Sequence, residues 1–264
     1  MTIKKAVFSS IIVVFLLIIT GTLSYYLAFP QVVRCYAIGF SDFEKYSDHL
    51  YFSEGTTPLQ KDSLLQLFAG SKKRISRLWG SYTSAPTIVF CHTEEIYSKY
   101  GSTSGSPANF FGTPLGLYVV VSPDGLNTDI ISHEMCHAEL AQRLGWLTMT
   151  SQIPQWFNEG VALMADYRYP DTRTSNRHNN YLQKWNQATS NGVVKIKLSE
   201  ISSVKDFFNG DQYWIYLAYL RSGLEVSRWL EIVKRDGLLD LVKKLNEGED
   251  FDSAYSGIEQ RAKS

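Results

Sequence analysis

Between Ala6 and Phe29 the chain carries no charged residue, and its centre, Ile11 to Ile19, is aliphatic apart from Phe15. A run of 24 residues at helical rise is long enough to cross a hydrocarbon layer of about 30 Å. Lys4 and Lys5 precede it, and Tyr25-Tyr26 stand near its far end, where amphipathic rings prefer the membrane interface. The run exceeds the roughly 7–15 apolar residues of a signal peptide and no A-x-A cleavage site follows, so it reads as an uncleaved anchor. This divides the chain into a cytoplasmic leader (1–5), a transmembrane anchor in the lipid bilayer (6–29) and one soluble domain (35–264). Arg34 and Lys45 nearly balance the two leader lysines, but a five-residue leader stays inside more readily than a large domain does. The domain is therefore expected outside the cytoplasm, periplasmic or extracellular.

Lys+Arg and Asp+Glu are both 26, so no basic excess exists to neutralise a phosphate backbone, and nucleic acid is excluded as an expected partner. The three cysteines are too few for a disulfide framework, and no C-x-x-C pair points to a zinc finger or a redox motif. Cys35 and Cys91 are candidates for a single disulfide outside the cytoplasm.

Helical spacing of Leu64, Leu65, Leu67, Phe68, Ile75 and Leu78, closed by Gly80, predicts a surface helix from Pro58 to Trp79. Thr87–Cys91 and Gly116–Ser122 read as buried strands, with a short helix over Glu94–Tyr100 and a Gly/Ser loop over Ser102–Pro107. A helix capped by Thr128 or Asp129 is expected to run to Leu144, where Gly145 stops it. Another is expected from Pro154 or Gln155 to Tyr167, then a polar loop over Asp171–Asn180, then helices over Asp211–Asp236 and Leu238–Leu245. Helix and strands come first and helices follow, an order that favours α+β over a parallel α/β fold.

His133-Glu134-Met135-Cys136-His137 falls inside the helix expected from Thr128, and two of the five histidines are in it. On a helix, i and i+4 share a side, so both imidazoles can meet one ion while Glu134, about 100° around, flanks the open position. Zinc held by neutral imidazoles lowers the pKa of a bound water toward about 7, and an adjacent carboxylate can accept its proton. An open zinc site needs a third protein ligand, and Glu159 is the candidate. Trp156, Phe157, Val161, Ala162, Leu163 and Met164 surround it with apolar side chains, where a carboxylate without a partner would be costly.

His133–His137 followed by Trp156-Phe157-Asn158-Glu159-Gly160-Val161-Ala162 resembles the gluzincin zinc metallopeptidases, most closely the small peptidase-MA-like domains. The resemblance extends to Tyr213–Leu220 and Trp229–Gly237 and is weaker over residues 35–110. It implies a single zincin-like domain, a peptide or protein substrate, one Zn²⁺ per chain held by His133, His137 and Glu159, and Glu134 as general base. In this group the strand before the motif helix lines the cleft, so the substrate is expected to extend along Gly116–Ser122. The chain lacks the G-x-M-E-N stretch that holds a substrate amine in membrane alanyl aminopeptidases, so exopeptidase action is not implied.

Asp166, seven residues after Glu159, reads as a solvated residue at a helix C-terminus in preference to a partner that orients a ligand histidine. Tyr213, Tyr216, Tyr219 and His178 are candidates to stabilise an oxyanion, although tyrosines at a spacing of three read first as packing. Cys136 faces away from the two histidines and reads as core. The alternative to a protease is a catalytically silent zincin-like domain that binds a peptide or cell-envelope partner; Glu134, which a structural site does not require, argues against it. A zinc hydrolase acting on a non-peptide amide is a second alternative.

Overall fold

The apolar runs Thr87–Phe90 and Gly116–Val121 lie side by side and parallel at the centre of one small mixed sheet. The computed structural model of the chain describes residues 3–102, 105–168 and 176–264. In chain order the strands are β1 (Glu44–Ser47), β2 (Leu50–Phe52), β3 (Thr87–Phe90), β4 (Ala108–Thr113) and β5 (Gly116–Val121). The helices are α1 (Ile3–Ala28), α2 (Pro30–Tyr36), α3 (Pro58–Trp79), α4 (Glu94–Tyr100), α5 (Thr128–Leu144), α6 (Trp146–Gln152), α7 (Gln155–Leu163), α8 (Arg177–Ala188), α9 (Val204–Phe208), α10 (Gln212–Asn246) and α11 (Phe251–Lys263). Strands in the first half and helices in the second make an α+β arrangement, as the segregated pattern predicts.

The sheet order is β1-β2-β3-β5-β4, with β2, β3 and β5 parallel and the two outer strands antiparallel to their neighbours. Ile88, Phe90, Val119 and Val121 face the main core, and Val89, Val120 and Tyr118 face a smaller cluster with Cys35 and Tyr97. Because both faces are covered, Val119-Val120-Val121 is apolar without alternation. Three strands were not expected from sequence. β1 is exposed throughout and β2 is only three residues long, so neither has a readable pattern. In β4, the adjacent Phe110 and Phe111 and the following Gly112 break the period of two.

β4 changes the expected geometry of the cleft. Gly116–Ser122 is not an edge, because β5 is paired on both sides; among the described residues the free edge on this side belongs to β4.

α5 runs from Thr128 to Leu144 as expected, capped not by Thr128 or Asp129 but by Asn127, whose side chain accepts the Asp129 N–H at 2.7 Å. Its C-terminal half is fixed by the fully buried Glu139, which accepts from the Thr83 and Ser84 N–H groups and from Arg143 Nε. The chain then forms α6, a helix not expected from sequence, and folds back into α7, which ends at Leu163 and not at Tyr167. Part of the polar loop expected over 171–180 lies outside the described residues, and from Arg177 the chain is helical. The two helices expected after Asp211 are one helix, α10, bent at Lys234 (φ 58°), three residues before the glycine that was expected to punctuate it.

Ser10–Ala28 of α1 is long and apolar enough to cross a membrane, and its large apolar side chains are exposed, Tyr25 near its end also lining the cleft described below. Cys35 and Cys91 are free thiols in the smaller core cluster, so the disulfide considered from sequence is not formed. Burial pushes the Cys35 thiol up to about 12.

Candidate metal centre

Helical geometry does for His133 and His137 what their spacing predicts: the two rings lie on one face of α5 with centroids 4.8 Å apart. α7 packs antiparallel beside α5 after the α6 turn and brings Glu159 to them. Glu159 Oε2 stands 3.1 Å from His133 Nε2 and 3.7 Å from His137 Nε2. One ligand atom from each of the three lies within 4.8 Å of the others, and all three residues are buried. A tetrahedral ion with bonds of about 2.0–2.1 Å has ligand–ligand edges of about 3.3 Å. The two Glu159–histidine distances bracket that value, and two imidazole nitrogens with one carboxylate oxygen are a donor set suited to zinc, so the residues fit a divalent metal ion.

The far side of each ligand is also held. His137 Nδ1 meets Asn158 Oδ1 at 2.8 Å, which assigns the proton to Nδ1 and leaves the Nε2 lone pair toward the site. Asp166 Oδ2 faces His133 Nδ1 at 3.4 Å, an ion-pair distance and not a well-formed hydrogen bond. Arg168 grips the same carboxylate through Nε to Oδ1 at 3.0 Å and Nη2 to Oδ2 at 2.6 Å. Gln155 donates to Glu159 Oε1 at 2.7 Å, leaving Oε2 for the site. Asp166 is therefore not the solvated residue expected from sequence: it is fully buried behind a histidine. Asn158 and Gln155 were not anticipated, although both flank Glu159, one immediately before it and one a helical turn back.

The electrostatics separate the two histidines. Burial opposes charge on His133, but the carboxylates of Asp166, Glu159 and Glu134 outweigh it and raise the group to about 10. His137, facing no second carboxylate, is lowered by burial to about 4. Burial raises Glu159 too, yet the two histidines hold it below its ordinary value. Burial lifts Glu134 to about 7, with the Glu159 charge adding to the rise and His133, Arg168 and the Phe110 backbone N–H opposing it.

Glu134 lies on the wall of a cleft of about 660 Å³ together with His133, His137 and Glu159. The β4 residues Asn109 to Thr113 form the facing wall. Of the oxyanion candidates, Tyr219 alone lines this cleft, its ring edge-on to His133 at 6.3 Å between centroids. Tyr213 is half-exposed and donates to the Ala188 carbonyl, Tyr216 packs against the core, and His178 sits in the first turn of α8, away from the cleft lining. Cys136 is in the main core as expected, its Sγ 3.5 Å from the Val161 carbonyl of α7.

Compared with protein-family models and with curated proteins, the chain matches none.

Proposed function

We propose that this chain is a membrane-anchored, zinc-dependent metalloprotease with a gluzincin-type, zincin-like domain. The convergence of His133 Nε2, His137 Nε2 and Glu159 Oε2 beside the Glu134 carboxylate carries the reading. A zinc ion bound there would polarise a scissile carbonyl and acidify the attacking water. Glu134 takes the proton from that water and delivers it to the leaving nitrogen, the work of a general base that then acts as acid. Asn158 and Asp166 keep each imidazole turned with Nε2 inward, and Gln155 keeps one Glu159 oxygen occupied. Tyr219 is the side chain best placed to steady the developing oxyanion. The substrate backbone pairs along the free edge of β4, the open strand beside the site, in place of β5. Residues 6–29 anchor the chain in the bilayer, with the short lysine-bearing leader cytoplasmic and the domain on the other side.

The test is a contrast between two variants of the full-length protein on a peptide library. Glu134→Gln keeps the shape of the side chain and removes the base, so zinc content should persist while kcat falls by roughly 10²–10⁴-fold or more. His133→Ala should lose metal and activity together. Wild-type kcat in Glu134→Gln would instead favour a domain that binds without cleaving.

A further inference from the structure

The apolar helix does not end in a linker. With only Phe29 between them, α2 follows α1, and it is docked: Cys35 is fully buried, Arg34 Nη1 donates to the Lys99 carbonyl at 2.6 Å, and Cys35 Sγ contacts the Tyr100 carbonyl at 3.5 Å. Helical hydrogen bonds continue through the junction, from Phe29 N–H to the Tyr25 carbonyl and from Val33 N–H to the Phe29 carbonyl. The last turn of the apolar helix is thus tied to the body, and Tyr25, Phe29 and Val32 line the same cleft as His133, Glu134 and His137.

A second observation concerns the rim. Leu115, in the turn between β4 and β5, is 67% exposed, and Leu147, at the start of α6, is 69% exposed. Trp146, next to Leu147 in the chain, lines the cleft, its ring 3.7 Å from where a Cβ on Gly112, three residues before Leu115, would stand. Exposed leucines beside a cleft that also takes in the end of an apolar helix suit a headgroup layer better than water. One cleft of about 660 Å³ thus takes in both the end of the apolar helix and the candidate metal ligands.

We propose that the cleft works at the bilayer surface, with Leu115, Trp146 and Leu147 seated in the headgroup layer, and that its substrates are membrane-anchored polypeptides cut within a few residues of their own span. The inference rests on the hydrolase reading and on α1 lying in a bilayer. A membrane-tethered chain raises the local concentration of a bond at that height, whereas a soluble peptide gains nothing from the placement.

Two readouts on the full-length protein in phosphatidylcholine vesicles test it. A single environment-sensitive fluorophore on Leu115→Cys, or on Leu147→Cys should the first variant fold poorly, is compared with one on Asp124→Cys. Asp124 is exposed at the opposite end of β5, about 20 Å away at strand rise. The three native cysteines are buried, so labelling is selective. Brominated acyl chains should quench the Leu115 label at least about threefold more than the Asp124 label. In parallel, one peptide sequence is offered free, fused directly to a spanning helix, and fused through about twelve prolines, a stiff spacer of roughly 37 Å. The directly fused form should be cut at least about tenfold faster than the other two. Equal quenching at both labels, or equal cleavage of all three substrates, overturns the inference. Quenching at Leu115 with no cleavage of any substrate overturns the hydrolase reading and the substrate class with it, and upholds only the position of the cleft.

Discussion

The residues behind the ligands decide whether two histidines on a helix become a metal centre. His133 and His137 would share a face of any helix; here both Nε2 atoms face Glu159, with Asp166 and Asn158 at the opposite ring nitrogens. Such partners commonly change metal affinity by about 10–100-fold. Asp166→Asn and Asn158→Ala should each weaken zinc by an amount in that range, measured by competition with a chromophoric chelator, while far-ultraviolet circular dichroism stays unchanged. Affinity equal to wild type in both variants would mean that α5 alone orients the rings. The candidate ligands and Glu134 could be singled out because H-E-x-x-H is a fixed local spacing, and the structure brings His133, His137 and Glu159 together. Asp166 was not legible, because a carboxylate after an apolar helix looks solvated until Arg168 and His133 are seen closing over it.

Among the elements, α7 must approach α10 very closely to present Glu159. A Cβ on Gly160 would stand 2.4 Å from Val226 Cγ2 and 2.8 Å from the Ser222 carbonyl oxygen, and the latter cannot rotate away. Gly160→Ala should therefore cost about 1–3 kcal/mol and weaken zinc together with stability. A melting temperature and zinc affinity both unchanged would contradict that packing. α10 is held in turn by α11 through Arg228, which donates to both oxygens of Glu259 at 2.7 and 2.8 Å and to Glu225 at 2.6 Å. The Arg228 guanidinium holds the Glu259 carboxyl down to about 2. A carboxyl depressed on folding stabilises above its unfolded pKa of about 4.3, and that stability fades as pH falls toward 2. For this partly exposed clasp the gain is about 1 kcal/mol. The melting-temperature advantage of wild type over Glu259→Gln should thus be full above about pH 5 and shrink in acid; a pH-independent difference would assign it to packing. α3, α4 and α5 were legible from period and stop signals, α5 to within a residue at both ends, whereas α2, α6, α8, α9 and α11 were not expected. The bend in α10 was displaced, because the sequence marks Gly237 whereas the backbone departs from helix at Lys234.

At the scale of the whole molecule, a mixed sheet covered on both faces supports α5, and α7 and α10 close around it, so three distant stretches of chain meet at one buried point. The α+β class followed from element order. The edge did not: β4 lacks alternation, and which strand lies outermost is a matter of long-range pairing that no local pattern records. The same limit hid the meeting of α1 with the cleft, since Tyr25 read as an interfacial ring and Phe29 as the end of an apolar run. The claim on which the rest depends is that His133, His137 and Glu159 form one metal centre. Elemental analysis of the full-length protein, purified without chelator, tests it most directly. The account predicts one zinc per chain in wild type and in Glu134→Gln, and less than about a tenth of that in His133→Ala and Glu159→Ala. Absence of stoichiometric metal from the wild-type protein, or full zinc occupancy in Glu159→Ala, would contradict it.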